Sequence, residues 1–322
     1  MEIFLNVLLL ILGFVFLSKG ADWFVDGASG IATKFKIPQL VIGLTIVAMG
    51  TSAPEAAVSI SSALKGNADI TIGNIVGSNI LNVLIILGLS ATITSLAVSK
   101  DTIWVDIPVV TVATIALLLM GLDGKIVWWE GLIMLVFFVS YMSYLFYKAF
   151  KNKKKIEQGN NEEIVEEEAP KKEIVIWKAL LFTVIGLAMV VFGSNFVVDS
   201  STFLAKQMGI SDRFIGLTVI ALGTSLPELF TSVSAAMKKN ADIAIGNIIG
   251  SNIFNILFVV GLSSVITEVP FVKTFIIDTL IAFASVILLF LCCLKDKKLH
   301  RWAGILMLVS YSAYFVYLLN LG

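Results

Sequence analysis

The chain repeats itself at a fixed offset of 173 residues, and no other feature restricts its fold as much. Gly50-Thr51-Ser52-Ala53-Pro54-Glu55 returns as Gly223-Thr224-Ser225-Leu226-Pro227-Glu228. Gly73-Asn74 returns as Gly246-Asn247, and Asn82 as Asn255, at the same offset. Asp26 and Asp199, Trp129 and Trp302, and Tyr144 and Tyr317 keep that spacing too, so the alignment runs through each half without net insertion. Residues 39–91 and 212–264 share 31 identities in 53 positions.

Both copies read as membrane-embedded. The chain is 58% hydrophobic and only 14% charged, against about a quarter charged in an average soluble domain. A spanning helix needs about 20 apolar residues. Ten stretches qualify: 3–31, 39–64, 70–98, 103–122 and 126–149, then 174–204, 212–237, 243–266, 273–294 and 300–320. The first lacks a basic leader and a small-residue cleavage site, so it reads as a retained helix. Between the halves lies a charged segment, Lys151 to Glu173, that belongs in water. The expected organisation is therefore a five-helix repeat over 1–150, a linker over 151–173 and a second five-helix repeat over 174–322. Five is odd. Two like-folded copies must then enter the bilayer from opposite sides, giving an all-α polytopic protein of ten transmembrane helices in two inverted-topology repeats.

Basic residues predict the orientation. With the N-terminus outside, inside loops hold 17 Lys and Arg and outside loops hold 5. The positive-inside rule then puts both termini outside and the linker in the cytoplasm of a cell membrane. The balance of 23 basic and 23 acidic residues leaves no footprint for nucleic acid. The expected surroundings are the lipid bilayer, with no obligate protein partner. Adjacent Cys292 and Cys293 make neither a disulfide framework nor a C-x-x-C site, and the one histidine, His300, reads as a solvated loop residue. No nucleophile–base set is present, so an enzyme is not expected.

Candidate chemistry sits in the second and third spans of each half. Glu55 and Glu228 lie inside apolar stretches, where one ionised carboxylate costs about 2.5–3.5 kcal/mol on insertion scales. A pair of protonated carboxyls gluing helices is the bland alternative. The neighbours argue otherwise, because all of them carry oxygen. Thr51 and Ser52 stand four and three residues before Glu55, on one face of a continuous helix, and Thr224 and Ser225 repeat this before Glu228. Pro54 and Pro227 break the helix and tilt its carbonyls, which membrane depth tolerates only around a protected cavity. The next span adds Ser78 and Asn82, copied as Ser251 and Asn255. Gly73 and Gly77, with Gly246 and Gly250, read as close-packing glycines. Two carboxylates, hydroxyls, amides and strained carbonyls without Cys or His suit hard cations such as Ca²⁺, Mg²⁺, Na⁺ or K⁺, and not Zn²⁺ or Cu⁺. Ca²⁺, with 6–8 oxygens, fits a flexible oxygen cage better than Mg²⁺ does.

These paired G-T-S-x-P-E and G-N-x-x-G-S-N-x-x-N blocks resemble the two alpha-repeats of the Na⁺/Ca²⁺ exchanger branch of the cation/Ca²⁺ antiporter superfamily. The likeness covers the whole chain. It implies that Thr51, Ser52, Glu55, Ser78, Asn82, Thr224, Ser225, Glu228, Ser251 and Asn255, with the carbonyls of Ala48 and Ala221, surround the transported Na⁺ and Ca²⁺. Within that set, Glu55, Glu228, Thr51 and Thr224 would hold Ca²⁺. It also implies alternating access, with the first and sixth helices sliding across an eight-helix core, exchange of three Na⁺ for one Ca²⁺, and no cofactor. Asn255 resembles the K⁺-independent type, and the 23-residue linker is too short for a Ca²⁺-sensing domain. A Ca²⁺/H⁺ or other cation/H⁺ antiporter is the alternative, and a channel is a more distant one.

Three acidic residues lie outside this set. Asp22, Asp26 and Asp199 read as solvated near the aqueous ends of the first and sixth spans. Trp128, Trp129 and Trp302 read as interfacial anchors.

Overall fold

Backbone in lipid must satisfy its own hydrogen bonds, which makes each apolar stretch a helix. The computed structural model of the chain describes residues 2–65, 68–157, 175–208 and 221–321. The first half contains α1 (Glu2–Phe35), α2 (Gln39–Thr51), α3 (Ala53–Leu64), α4 (69–93), α5 (Thr102–Gly121) and α6 (Trp128–Glu157). The second contains α7 (Ile176–Gln207), α8 (Ala221–Thr224), α9 (Leu226–Met237), α10 (Ala241–Ile266), α11 (Lys273–Leu294) and α12 (Arg301–Leu321). Helices α2 and α3 are one span bent by 50°. Helices α8 and α9 are its copy, whose opening residues 212–220 lie outside the described ones. Each half thus makes five spans from six helical pieces. Helix α6 continues to Glu157, past its expected end at 149, because the Lys-rich turn that leaves the bilayer still favours helix.

Two short sheets establish the inversion. Strands β1 (Leu96–Ala97) and β3 (Val269–Pro270) are copies at the 173 offset, as are β2 (Lys125–Ile126) and β4 (Lys298–Leu299). Yet β1 pairs with β4, and β2 with β3. Leu96 opposes Leu299, and Ile126 opposes Val269, which is the same pairing with the halves exchanged. Copies pointing the same way would leave β1 and β4 on opposite faces of the membrane. The observed register requires a two-fold axis in the membrane plane. Lys125 and Glu268 brace the β2–β3 sheet at 2.8 Å, and this contact raises the Lys125 pKa.

Helices α4 and α10 form the centre, and α10 is almost wholly buried. Helices α1 and α7 lie outside it as an antiparallel pair with a glycine seam. A β-carbon on Gly20 would stand 2.9 Å from the Gly186 carbonyl, and one on Gly186 would stand 2.4 Å from the Phe24 amide. Gly13 and Gly193 meet in the same way one heptad along. The backbones touch because no side chain separates them, the small-residue packing that helices use in lipid.

Candidate functional site

The site begins at the break in the second span. Ser52 leaves the helical region (φ −81°, ψ 7°), and Pro54 starts α3 in its first turn, where a missing N–H costs little. Glu55 therefore sits in the first turn of a new helix at membrane depth, and Glu228 repeats this in α9. Both side chains are 1% exposed.

The break also changes which hydroxyls meet which carboxylate. A continuous helix would put Thr51, Ser52 and Glu55 on one face. The 50° bend turns Ser52 away, so its Oγ donates to Glu228 Oε1 at 2.7 Å. Ser225 Oγ reciprocates, donating to Glu55 Oε1 at 3.2 Å. Thr224 lies beside Glu55, while Thr51 and Ser251 lie beside Glu228. Each glutamate is thus served by the broken-span hydroxyls of the opposite repeat, Glu228 also by Ser251 of its own, and the two carboxylates are within electrostatic reach of each other.

The second ring comes from α4 and α10. Ser78 Oγ lies 3.3 Å from Ser225 Oγ, and Ser251 Oγ donates to the Ala48 carbonyl at 3.4 Å. Asn82 and Asn255 are buried at the start of π-helical segments, Asn82–Leu87 and Phe254–Val260. Such segments are often found at functional sites, and nothing in the spacing of the sequence announced them. Ala221 is the first residue of α8, and its side chain lies outside the described set. Gly246 and Gly250 pack directly on α2, with β-carbons that would stand 3.0 Å from the Leu40 carbonyl and 2.6 Å from that of Leu44. The mirror surface for Gly73 and Gly77 falls at residues that are not described.

Two asparagines absent from the sequence-derived set hold the broken spans in place. Asn247 Nδ2 donates to Ser232 Oγ at 2.9 Å and to the Glu228 carbonyl at 3.4 Å, and its Oδ1 accepts from Thr51. Asn74 makes the equivalent bonds to Ser59 and the Glu55 carbonyl. Their signal was present, since Asn74, Asn247, Ser59 and Ser232 all repeat at the 173 offset within apolar spans.

Five buried oxygens on these residues have no hydrogen-bond partner: Glu55 Oε2, Glu228 Oε2, Asn82 Oδ1, Asn255 Oδ1 and Thr224 Oγ1. Buried acceptors are normally paired, and an unpaired carboxylate oxygen is among the costliest exceptions. Oxygen-only donors of this kind are the ones hard cations take. Among the described residues no three His, Cys, Asp or Glu side chains gather, so the two glutamates supply the site's negative charge.

The surroundings of the site break the two-fold symmetry. On the face opposite the N-terminus, α1 packs on α9. Phe14 meets Phe230 with ring centroids 6.4 Å apart, Ser234 donates to Asp22 at 2.7 Å, and Lys238 pairs with Asp26 at 2.7 Å. Asp22 and Asp26 are therefore ion-pairing residues at a helix contact, not the freely solvated ones expected from sequence. Their copies on the other face, Asn195 and Asp199 of α7 with Ser61 of α3 and Lys65 just past its end, are exposed. Among the described residues, these side-chain contacts between α1 and α9 have no counterpart between α7 and α3.

An inverted repeat around a buried, oxygen-only site defines a multi-pass membrane cation antiporter. The model of the sodium/calcium exchanger protein family matches residues 5–147 and again 178–320. The chain belongs to that family. The sodium/calcium exchanger MaX1 of Methanosarcina acetivorans is 32% identical over 97% of this chain and 98% of its own length. Inner membrane protein YrbG of Escherichia coli is 33% identical over 93% and 92%. Solved structures of the sodium-calcium exchanger NCX_Mj superpose with a TM-score of 0.84 at 32% identity, covering 98% of this chain and 99% of that one.

Proposed function

We propose that this protein exchanges three Na⁺ for one Ca²⁺ at the Glu55–Glu228 site, by alternating access, and so extrudes Ca²⁺. The reading rests on the five unpaired buried oxygens around two carboxylates. Two Glu⁻ balance one Ca²⁺, or most of the charge of three Na⁺. The ligand set is the sequence-derived one: Thr51, Ser52, Glu55, Ser78, Asn82 and the Ala48 carbonyl, with Thr224, Ser225, Glu228, Ser251, Asn255 and the Ala221 carbonyl. Asn rather than Asp at 255 leaves no third carboxylate for an added K⁺.

Energetics favour three Na⁺. A tenfold gradient gives about 1.4 kcal/mol per ion, and 100 mV gives about 2.3 kcal/mol per charge. Three Na⁺ entering release about 11 kcal/mol, and one Ca²⁺ leaving uses about 4.6 against the voltage. The remaining ~6.5 kcal/mol sustains a Ca²⁺ ratio between about 10⁴ and 10⁵, where electroneutral exchange would reach only about 100-fold. Na⁺-loaded proteoliposomes test this. Their ⁴⁵Ca²⁺ uptake should rise when valinomycin and K⁺ set the interior positive, since each turnover carries one net positive charge out. Uptake indifferent to the potential would contradict the 3:1 ratio.

We place the protein in the cell membrane with both termini outside and the linker in the cytoplasm, an orientation supported by the basic-residue bias. The face that the α1–α9 contact closes is then cytoplasmic. Lys238 with Asp22 and Asp26 acts as a latch on the closed face. Lys65 and Asp199 are its inverted copy, ready to close when the α1–α7 pair slides. A partly solvated ion pair contributes up to about 1 kcal/mol, so Lys238→Met should raise the population open to the cytoplasm by about two- to fivefold. Spin labels at Thr33→Cys and Met237→Cys should show a longer-distance component in that variant. An unchanged distance distribution would count against the latch.

A further inference from the structure

Two asparagines on the two-fold axis belong to neither the expected ligand set nor the staples described above. Asn79 and Asn252 are equivalent residues, and they bond each other. Asn79 Nδ2 donates to the Asn252 carbonyl, and Asn252 Nδ2 to the Asn79 carbonyl, both at 3.3 Å. Both are nearly fully buried. A backbone carbonyl can only accept, so these two bonds fix which end of each amide is nitrogen. The remaining end, Oδ1, must then accept. It does so from the neighbouring ligand asparagines: Asn82 Nδ2 donates to Asn252 Oδ1 at 2.9 Å, and Asn255 Nδ2 to Asn79 Oδ1 at 3.2 Å.

The consequence lies one bond further on. With their nitrogens held by the axial pair, Asn82 and Asn255 keep Oδ1 as the free end, and these are two of the unpaired oxygens of the site. An amide turned over would present an NH₂ group, which repels a cation, in place of an oxygen that binds it. We propose that Asn79 and Asn252 are positioning residues that lock the amides of Asn255 and Asn82 in the cation-binding orientation, each acting across the axis on the opposite repeat. This rests on the reading of Asn82 and Asn255 as ligands. It explains how amides, which have two chemically opposite ends, serve beside carboxylates that do not need orienting.

The test uses that difference between amide and carboxylate. Asn252→Ala removes the acceptor that holds Asn82. The half-saturating concentration of Ca²⁺ or of Na⁺ in proteoliposome exchange should rise about tenfold or more, the usual cost of losing an outer partner of a metal ligand, with maximal turnover changed far less. Adding Asn82→Asp should restore affinity, because a carboxylate presents oxygen whichever way it turns. The mirror pair, Asn79→Ala and then Asn255→Asp, should behave alike. Asn82→Ala alone separates the two claims. If it leaves both half-saturating concentrations unchanged, Asn82 is not a ligand and the underlying reading fails. If it weakens binding while Asn252→Ala does not, only the positioning role fails. Folded single variants that lose affinity without recovery in the doubles would overturn the proposal. So would loss of folded protein in both single variants that neither double repairs, since the role would then be structural.

Discussion

Glu55→Gln should lower Na⁺-dependent Ca²⁺ flux by at least about a hundredfold, equivalent to about 2.7 kcal/mol. Glu228→Gln should do the same. Glutamine keeps the shape of the side chain and one oxygen, and it can still accept from Ser225 or Ser52 as glutamate does. What it removes is one of two negative charges in a site where both are buried. A divalent ion desolvated among neutral dipoles and a single carboxylate is left under-compensated, and removing one member of a buried charge set is costly in this way. Folding should be spared. In Ca²⁺-free detergent the Gln variants should melt at or above the parent temperature, because the charge that insertion penalises is gone. The rise in Tm that saturating Ca²⁺ gives the parent, which follows from binding to the native state alone, should vanish. A variant that retained full flux would remove the carboxylate from the mechanism.

Gly186→Ala should be nearly as damaging, by another route. Its β-carbon would lie 2.4 Å from the Phe24 amide and 2.7 Å from the Gly20 carbonyl. Backbone atoms cannot rotate aside, so α1 and α7 must separate. In the proposed mechanism the pair slides as one body only while the seam is closed, so a single methyl group acts on the whole gate. Overpacking of this kind costs about 1–3 kcal/mol. The expected result is a Tm several degrees lower and transport reduced by tenfold or more, with little change in half-saturating Ca²⁺ for whatever activity survives, since the glutamates are untouched. A fall in affinity with turnover preserved would place Gly186 in the binding site instead of the gate.

These features differ in how far the sequence announces them. The 173-residue offset is a property of the chain, and five spans per copy leave inversion as the one arrangement that lets both copies fold alike. The crossed pairing of β1 with β4 and β2 with β3 is that argument in coordinates. Pro54, Glu55 and their copies were legible because proline and an ionisable group inside apolar runs conflict with the bilayer unless something compensates. The exchange of Ser52 and Ser225 between carboxylates was not legible. It depends on the angle of the break, and i,i+3 spacing describes only an unbroken helix. The glycine seam was present as a heptad, Gly13, Gly20 and Gly27 with Gly186 and Gly193, but glycine in an apolar span has many roles until its neighbour is known. The contact of Lys238 with Asp26 joins residues 212 apart, and no local pattern foretells it. The same holds for Asn79 and Asn252, whose role exists only once the axis brings them together.

The account stands on Na⁺ as the coupling ion, and one flux measurement addresses that directly. Proteoliposomes containing the purified protein are loaded with Na⁺, diluted into Na⁺-free buffer containing ⁴⁵Ca²⁺, and compared with vesicles loaded with choline, with internal and external pH clamped equal. Rapid ⁴⁵Ca²⁺ accumulation in the Na⁺-loaded vesicles alone is the predicted result. Equal uptake without Na⁺, driven instead by an acid interior once the clamp is released, would contradict it and make Glu55 and Glu228 proton carriers.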